Sequence, residues 1–242
     1  MSQKQEAQVR GRSNKVMIFT CALVLVAAVI VGLIINNMTA GSRFENEVVA
    51  INTAFSSGDD QKIDEVLKRT MSSGNYAKVE SSLKSYVGDL SRNINQIKEI
   101  TDNETVYNAL DSEYIEKNID KLDETIATLK DVSSKVDTLT TDAKKLYSEN
   151  DVKAYIEDKN LGEGFRNLFF ENAKVFYEDE DLRNNYDNTL KLLRGSVKVE
   201  IEAITFLKDH KADWEIKDNK LNFKNDNISK QYTKILEKVA TY

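Results

Sequence analysis

The single histidine and the single cysteine of this chain are the first residues to consider for chemistry. His210 stands in "LKDHKADW", at the end of a predicted helix, where an imidazole suits the last free carbonyl groups. Catalysis by a histidine base would also need a partner nucleophile, and the sequence identifies none. Cys21 lies inside an apolar run, where it is predicted to act as a small hydrophobic side chain. The sequence therefore predicts no catalytic residue, no metal site and no cofactor.

One glycine-containing segment and two acidic segments share some features with ligand-binding loops. The segment "NLGEGFRN" contains Gly162 and Gly164 but lacks the lysine of a phosphate-binding loop. The acidic segments 177–188 and 218–227 lack the glycine that bends a calcium-binding loop. We therefore predict a turn between helices at the glycines and solvated surface at the acidic segments.

Residues 16–35 form an uncharged apolar run that predicts a membrane-spanning helix. As a helix, the run would cover about 30 Å, which matches the hydrocarbon core of a bilayer. A secretory signal has a shorter apolar core and small residues before its cleavage site, whereas the best site here, after Ala40, is preceded by the bulky Met38. A lipid-attachment site would place its cysteine at the end of the run, and Cys21 is near the beginning. The run therefore predicts an uncleaved signal-anchor.

The charges on either side of this run predict its orientation. Segment 1–15 has one acidic residue and four basic ones, namely Lys4, Arg10, Arg12 and Lys15. This bias places segment 1–15 in the cytoplasm and residues 36–242 outside the membrane. Within the run, Ala28 and Gly32 are four residues apart and would allow a second transmembrane helix to pack closely.

The exported segment is acidic and contains no cysteine. The chain has a net charge of −6, and its first fifteen residues contribute +3, so the remainder carries −9. Such a charge disfavours nucleic acid as a partner and favours either solubility alone or a basic partner surface. The lack of cysteine outside the run excludes a disulfide framework, so an apolar core must hold the fold. A proline-free composition rich in Lys, Asn, Asp and Glu is typical of AT-rich bacterial genomes and suggests a bacterial cell envelope.

Apolar residues recur at spacings of three and four through most of the exported segment, which predicts amphipathic helices. We expect short helices over 43–72 and long helices over 75–210. In the longest apolar stripe, five positions repeat every seven residues while their companions change sides, namely Ile115, Leu122, Leu129, Val136 and Ala143. The change of side makes the stripe broader than a coiled-coil seam and predicts an elongated helical bundle.

The C-terminal segment changes from helical to alternating periodicity. The sequence "DWEIKDNKLNFK" predicts a hairpin over 213–224, with a polar four-residue turn, followed by a terminal helix over 227–241. An isolated hairpin is marginally stable, so its apolar face is expected to pack on the helices. Apolar surface that stays exposed around Trp214, Phe223 and Tyr232 is predicted to bind a partner. The predicted fold is mainly α, with one N-terminal transmembrane helix, an extracytoplasmic bundle and a small β-hairpin near the C terminus.

Three classes of function remain open at this point. The first is a non-enzymatic interaction or scaffold protein at the outer face of the cytoplasmic membrane, which binds an envelope protein or itself. The second is a ligand-sensing or substrate-binding helical domain with a pocket near Phe165, Phe169 and Phe176, although these aromatic residues also suit core packing. The third is an enzyme with a cryptic carboxylate site, which ranks last because no nucleophile–base pair, metal cluster or cofactor loop is apparent.

Overall fold

The structure is a computed structural model that describes residues 43–178 and 180–241, except for the side chains of Ser56, Val175, Phe176, Leu182, Ala240 and Thr241. The predicted anchor 16–35, with Ala28 and Gly32, lies outside the described residues. Among the residues described, no helix combines the length and the apolar character that a membrane crossing requires.

The described residues form ten α-helices, two short 3₁₀ helices and one two-stranded sheet. The α-helices are α1 (Arg43–Ser57), α2 (Asp60–Lys68), α3 (Gly74–Thr101), α4 (Glu104–Asn108), α5 (Ser112–Lys117), α6 (Leu122–Tyr147), α7 (Glu149–Glu157), α8 (Glu163–Tyr177), α9 (Glu180–Asp209) and α10 (Asp226–Glu237). The 3₁₀ helices cover Lys211–Asp213 and Lys238–Thr241, and the strands are β1 (Trp214–Lys217) and β2 (Lys220–Phe223). The prediction of a mainly helical protein with a small hairpin near its C terminus is confirmed.

The hairpin is tighter than the sequence predicted. β1 and β2 pair antiparallel, with Trp214 opposite Phe223 and Lys217 opposite Lys220, so the loop contains two residues rather than four. These two residues, Asp218 and Asn219, have φ angles of 52° and 56°. Asp and Asn tolerate the left-handed conformation better than most residues, and two such residues in succession give the turn that matches strand twist.

The described chain divides into two compact units. The α1 unit contains residues 43–96, 140–178 and 180–187, and the hairpin unit contains residues 97–139 and 188–241. Each unit has its own apolar core. In the α1 unit, the core includes Ile51, Leu83, Tyr86, Leu90, Val152 and Phe169. In the hairpin unit, it includes Ile115, Leu129, Val136, Leu193, Val197 and Leu207.

Local sequence signals explain how the first helices begin and end. Gly58 follows α1 with a φ angle of 63°, a conformation that costs glycine little and ends a helix. The Asp59 carboxylate then accepts hydrogen bonds from the backbone N–H groups of Gln61 and Lys62, which caps α2.

The five residues of the predicted seven-residue repeat, from Ile115 to Ala143, are all buried. Each is 4% exposed or less, as a broad apolar stripe requires.

Candidate functional site

The three residues predicted to bind a partner lie in the hairpin unit, where they join the hairpin to helices. Trp214 is 3% exposed, and its indole Nε1 donates a hydrogen bond of 2.7 Å to the Leu207 carbonyl of α9. Tyr232 on α10 is 7% exposed. Its ring centroid lies 5.2 Å from that of Phe223 and 6.0 Å from that of Phe206. These contacts attach β1, β2 and α10 to the end of α9.

The expectation that Trp214 and Tyr232 are exposed is wrong, because a two-stranded hairpin depends on burying its apolar face. Phe223 is half-buried. The register places the Ile216–Leu221 pair on the same face as Trp214 and Phe223, and both Ile216 and Leu221 are also half-buried. The apolar surface that remains accessible on this face is therefore at Ile216, Leu221 and Phe223. Partner binding around Trp214, Phe223 and Tyr232 stays a prediction.

His210 lies directly after α9, as its sequence position predicted. Its Nδ1 is 3.2 Å from a carboxylate oxygen of Asp213, and its ring centroid is 4.4 Å from that of Phe206. Its backbone N–H donates to the Phe206 carbonyl. The imidazole is thus part of the turn that leads from α9 into β1. Within residues 43–178 and 180–241, no group of three or more His, Cys, Asp or Glu residues is placed to hold a metal ion.

The α1 unit contains a cluster of four charged residues that the sequence did not predict, of which three are buried and the fourth, Arg69, has a side chain that is 44% exposed. We call it the charge cluster; it consists of Glu47, Arg69, Glu80 and Lys84. The Lys84 ammonium group donates to the Glu47 carboxylate at 2.5 Å, to the Glu80 carboxylate at 2.8 Å and to the Arg69 carbonyl at 2.8 Å. The Arg69 guanidinium binds Glu47 with two near-parallel bonds, Nε–Oε1 at 2.9 Å and Nη2–Oε2 at 2.8 Å.

Glu80 also fixes the segment between α2 and α3. Its carboxylate accepts hydrogen bonds from the backbone N–H groups of Met71, at 3.0 Å, and Ser72, at 2.7 Å. Burial raises the pKa of Glu80, but the hydrogen bonds from Lys84, Ser72 and Met71 outweigh it and hold the pKa below its ordinary value. All three donors of the Lys84 ammonium are used within the protein. The charge cluster therefore joins α1, the α2–α3 segment and α3, and its geometry is that of a structural group.

An aromatic cluster lies where α1, α3 and α8 begin, also in the α1 unit. It consists of Phe44, Tyr76 and Phe165, each within the first three residues of its helix. The ring centroids of Phe44 and Tyr76 are 6.1 Å apart, and those of Tyr76 and Phe165 are 5.1 Å apart in an edge-to-face arrangement. Phe44 is buried, Phe165 is half-buried and Tyr76 is 44% exposed. The cluster thus combines a buried base with an exposed phenol.

The phenylalanines proposed as a ligand pocket have different environments. Phe169 is fully buried, with its ring 6.5 Å from that of Tyr86, so it belongs to the core of the α1 unit. Phe165 belongs to the aromatic cluster, and the side chain of Phe176 lies outside the described residues. A groove of about 470 Å³ is present between α2 and α3, but it is open and is lined mainly by polar and acidic side chains. A ligand site at the phenylalanines stays a prediction.

No protein-family model matches this chain, and no curated protein or solved structure matches it either.

Proposed function

We propose that this chain is a membrane-anchored extracytoplasmic helical protein of the cell envelope, which acts as a non-enzymatic interaction or scaffold protein. The observation that carries the proposal is the uncharged apolar run 16–35, which is followed after seven residues by the first helix of a well-packed domain. The basic segment before the run supports an orientation with the helical units outside the membrane. The partner is another envelope protein or a second copy of this chain.

The arrangement of charge in the described residues supports a scaffold role. The most deeply buried charged groups of the α1 unit bind one another and hold helices together. Glu80 and Lys84 also line an open, polar groove of about 300 Å³, but their charges are paired within the protein. Many of the other ion pairs lie on helix surfaces at spacings of three or four residues, as between Lys117 and Glu113 or Lys135 and Asp131. Such pairs keep a helical surface solvated without creating a reactive site.

The surface proposed for the partner is the accessible part of the hairpin face. Ile216, Leu221 and Phe223 remain half-buried beside the buried Trp214, whereas the opposite face of the hairpin carries Lys220 and other polar groups. Partially exposed apolar side chains on a rigid base are the usual centre of a binding surface, and aromatic residues contribute most there. Because the buried anchors of the hairpin hold it to α9, the surface is preorganised for binding.

Site-directed photo-crosslinking in the intact membrane tests this proposal. A photoreactive amino acid at position 221 should capture one envelope protein, or the chain itself, from cells that express the full-length protein. The matched control is position 220, the next residue, whose side chain lies on the opposite face of the hairpin. Equal capture from both positions, or none from either, would count against a partner surface here. Truncation after His210 is a poorer test, because it removes Trp214 and Tyr232 from the core.

A further inference from the structure

We propose that the aromatic cluster of Phe44, Tyr76 and Phe165 docks on the lipid surface of the membrane that holds the anchor. This inference rests on the proposed function, since it requires residues 16–35 to span the bilayer. In the docked state, the exposed phenol of Tyr76 lies at the boundary between the lipid headgroups and the acyl chains. The docked surface is one end of the α1 unit.

This end of the unit is formed by the first turns of three helices, which place the three aromatic rings side by side. Tyr76 lies between Phe44 and Phe165, and the two ring contacts link α1, α3 and α8. The Lys78 ammonium group donates to the carbonyl of Lys159 at 3.2 Å, which brings the α7–α8 connection to the same end. An aromatic ring with a polar tip, partly exposed on a rigid base, is the type of side chain that is enriched at membrane–water interfaces.

The connection to the anchor limits how far the start of α1 can lie from the membrane. Seven residues, 36–42, separate the end of the predicted span from Arg43. Whatever their conformation, these residues cannot place the Cα of Arg43 more than about 29 Å from the Cα of Ile35. Phe44 is the next residue after Arg43. The end of the unit that presents the aromatic cluster is therefore the end at which the covalent chain joins the predicted anchor.

The charge of this end is compatible with an anionic lipid surface. The three segments that form it, 43–46, 74–78 and 158–166, contain four basic and three acidic residues. The exported part of the chain as a whole carries −9. An end with no acidic excess is not repelled by anionic headgroups in the way that the remaining surface is, so the charge pattern favours docking through this end.

Spin-label accessibility in the reconstituted full-length chain tests the inference. Cys21 is replaced by alanine, and a single cysteine is introduced for a nitroxide at position 76. The protein is inserted into vesicles of phosphatidylcholine and phosphatidylglycerol, and collisions with oxygen and with a water-soluble nickel chelate are measured. We expect the chelate accessibility at position 76 to be at least about threefold lower than at position 92, because the chelate is excluded from the lipid region. Arg92 is a suitable control because it lies on the same helix, about 24 Å further along α3, and its side chain is 70% exposed.

The outcomes separate this inference from the proposed function. If the protein floats with the vesicles but position 76 is as accessible to the chelate as position 92, docking is refuted and the anchor stands. If the protein does not float with the vesicles, both ideas fail. A second label at the exposed Asn75, with Tyr76 intact, removes the concern that the label itself disturbs the cluster. Low chelate accessibility at position 75 supports docking, and full accessibility there overturns it.

Discussion

Replacement of Lys84 by methionine is the most direct test of the charge cluster. Methionine keeps the aliphatic part of the side chain but removes the ammonium group, which binds Glu47, Glu80 and the Arg69 carbonyl. The Lys84 side chain is 6% exposed, and both glutamate side chains are 2% exposed. The substitution therefore leaves two buried carboxylates with one cation fewer.

The expected loss is about 3–5 kcal/mol of unfolding free energy, because removal of one partner leaves a buried charge uncompensated. Arg69 still pairs with Glu47 after the change, so the deficit falls mainly on Glu80 and the lower end of this range applies. For a chain of this size, a loss of about 3 kcal/mol lowers Tm by about 6–12 °C. The matched control is Lys135→Met, the same chemical change in a pair with Asp131 whose side chains are 62% and 63% exposed. That variant should unfold almost as the unmodified chain does.

Urea unfolding of the full-length chain in detergent micelles, followed by circular dichroism, measures both variants. Hydrogen exchange then shows where the stability is lost, and the loss should be concentrated in α1, α3 and the segment between α2 and α3. The reasoning is refuted if Lys84→Met is as harmless as the control. It is also refuted if the extra exchange appears in the hairpin unit instead of the α1 unit.

Three further substitutions test other contacts. The pKa of Glu80 is lower in the folded state, so its ionised form contributes stability above the unfolded-state pKa, and this contribution disappears as pH falls through the folded-state pKa. Glu80→Gln should therefore be less stable than the unmodified chain at neutral pH but lose less stability on acidification, and parallel urea titrations with equal pH slopes would contradict this. Trp214→Phe should cost about 1–3 kcal/mol in thermal unfolding, because it removes the hydrogen bond to the Leu207 carbonyl, and an unchanged Tm would show that the bond is unimportant. Tyr86→Phe removes the donor to the Leu146 carbonyl at 3.1 Å and should cost about 1 kcal/mol by urea unfolding, whereas a stabilised variant would contradict the contact.

The helical class of this protein was predictable because a helix that is buried on one side has apolar residues every three or four positions. The boundaries were less predictable. The expected long helices over 75–210 include the short helices α4, α5 and α7, which end at polar residues that suit caps and turns as well as helix surfaces. The hairpin was predicted from its alternation, but its two-residue loop depends on left-handed conformations of Asp218 and Asn219 that the polar composition alone does not specify.

The sites were harder to predict than the elements, because they depend on residues that are distant in sequence. Glu80 and Lys84 are four residues apart, which is the spacing of an ordinary surface ion pair on a helix. The pair is buried only in the folded chain, where α1 supplies Glu47, 37 residues before Lys84. The alternation in β1 shows which face is apolar, but not that Trp214 is buried and bound to the Leu207 carbonyl of α9. Likewise, the ring centroids of Tyr76 and Phe165 are 5.1 Å apart only because the chain folds, and no local sequence pattern links these two residues.

The charge cluster also bears on how the fold would respond to mechanical load. If residues 16–35 hold the chain in a bilayer, any pull from the membrane enters the fold at Arg43, and Glu47 is four residues further along α1. Both the two-bond contact of Glu47 with Arg69 and its bond to Lys84 must break before α1 can move away from the α2–α3 segment and from α3. Tension on the anchor would therefore be passed to α3, and α1 would resist being peeled from the domain.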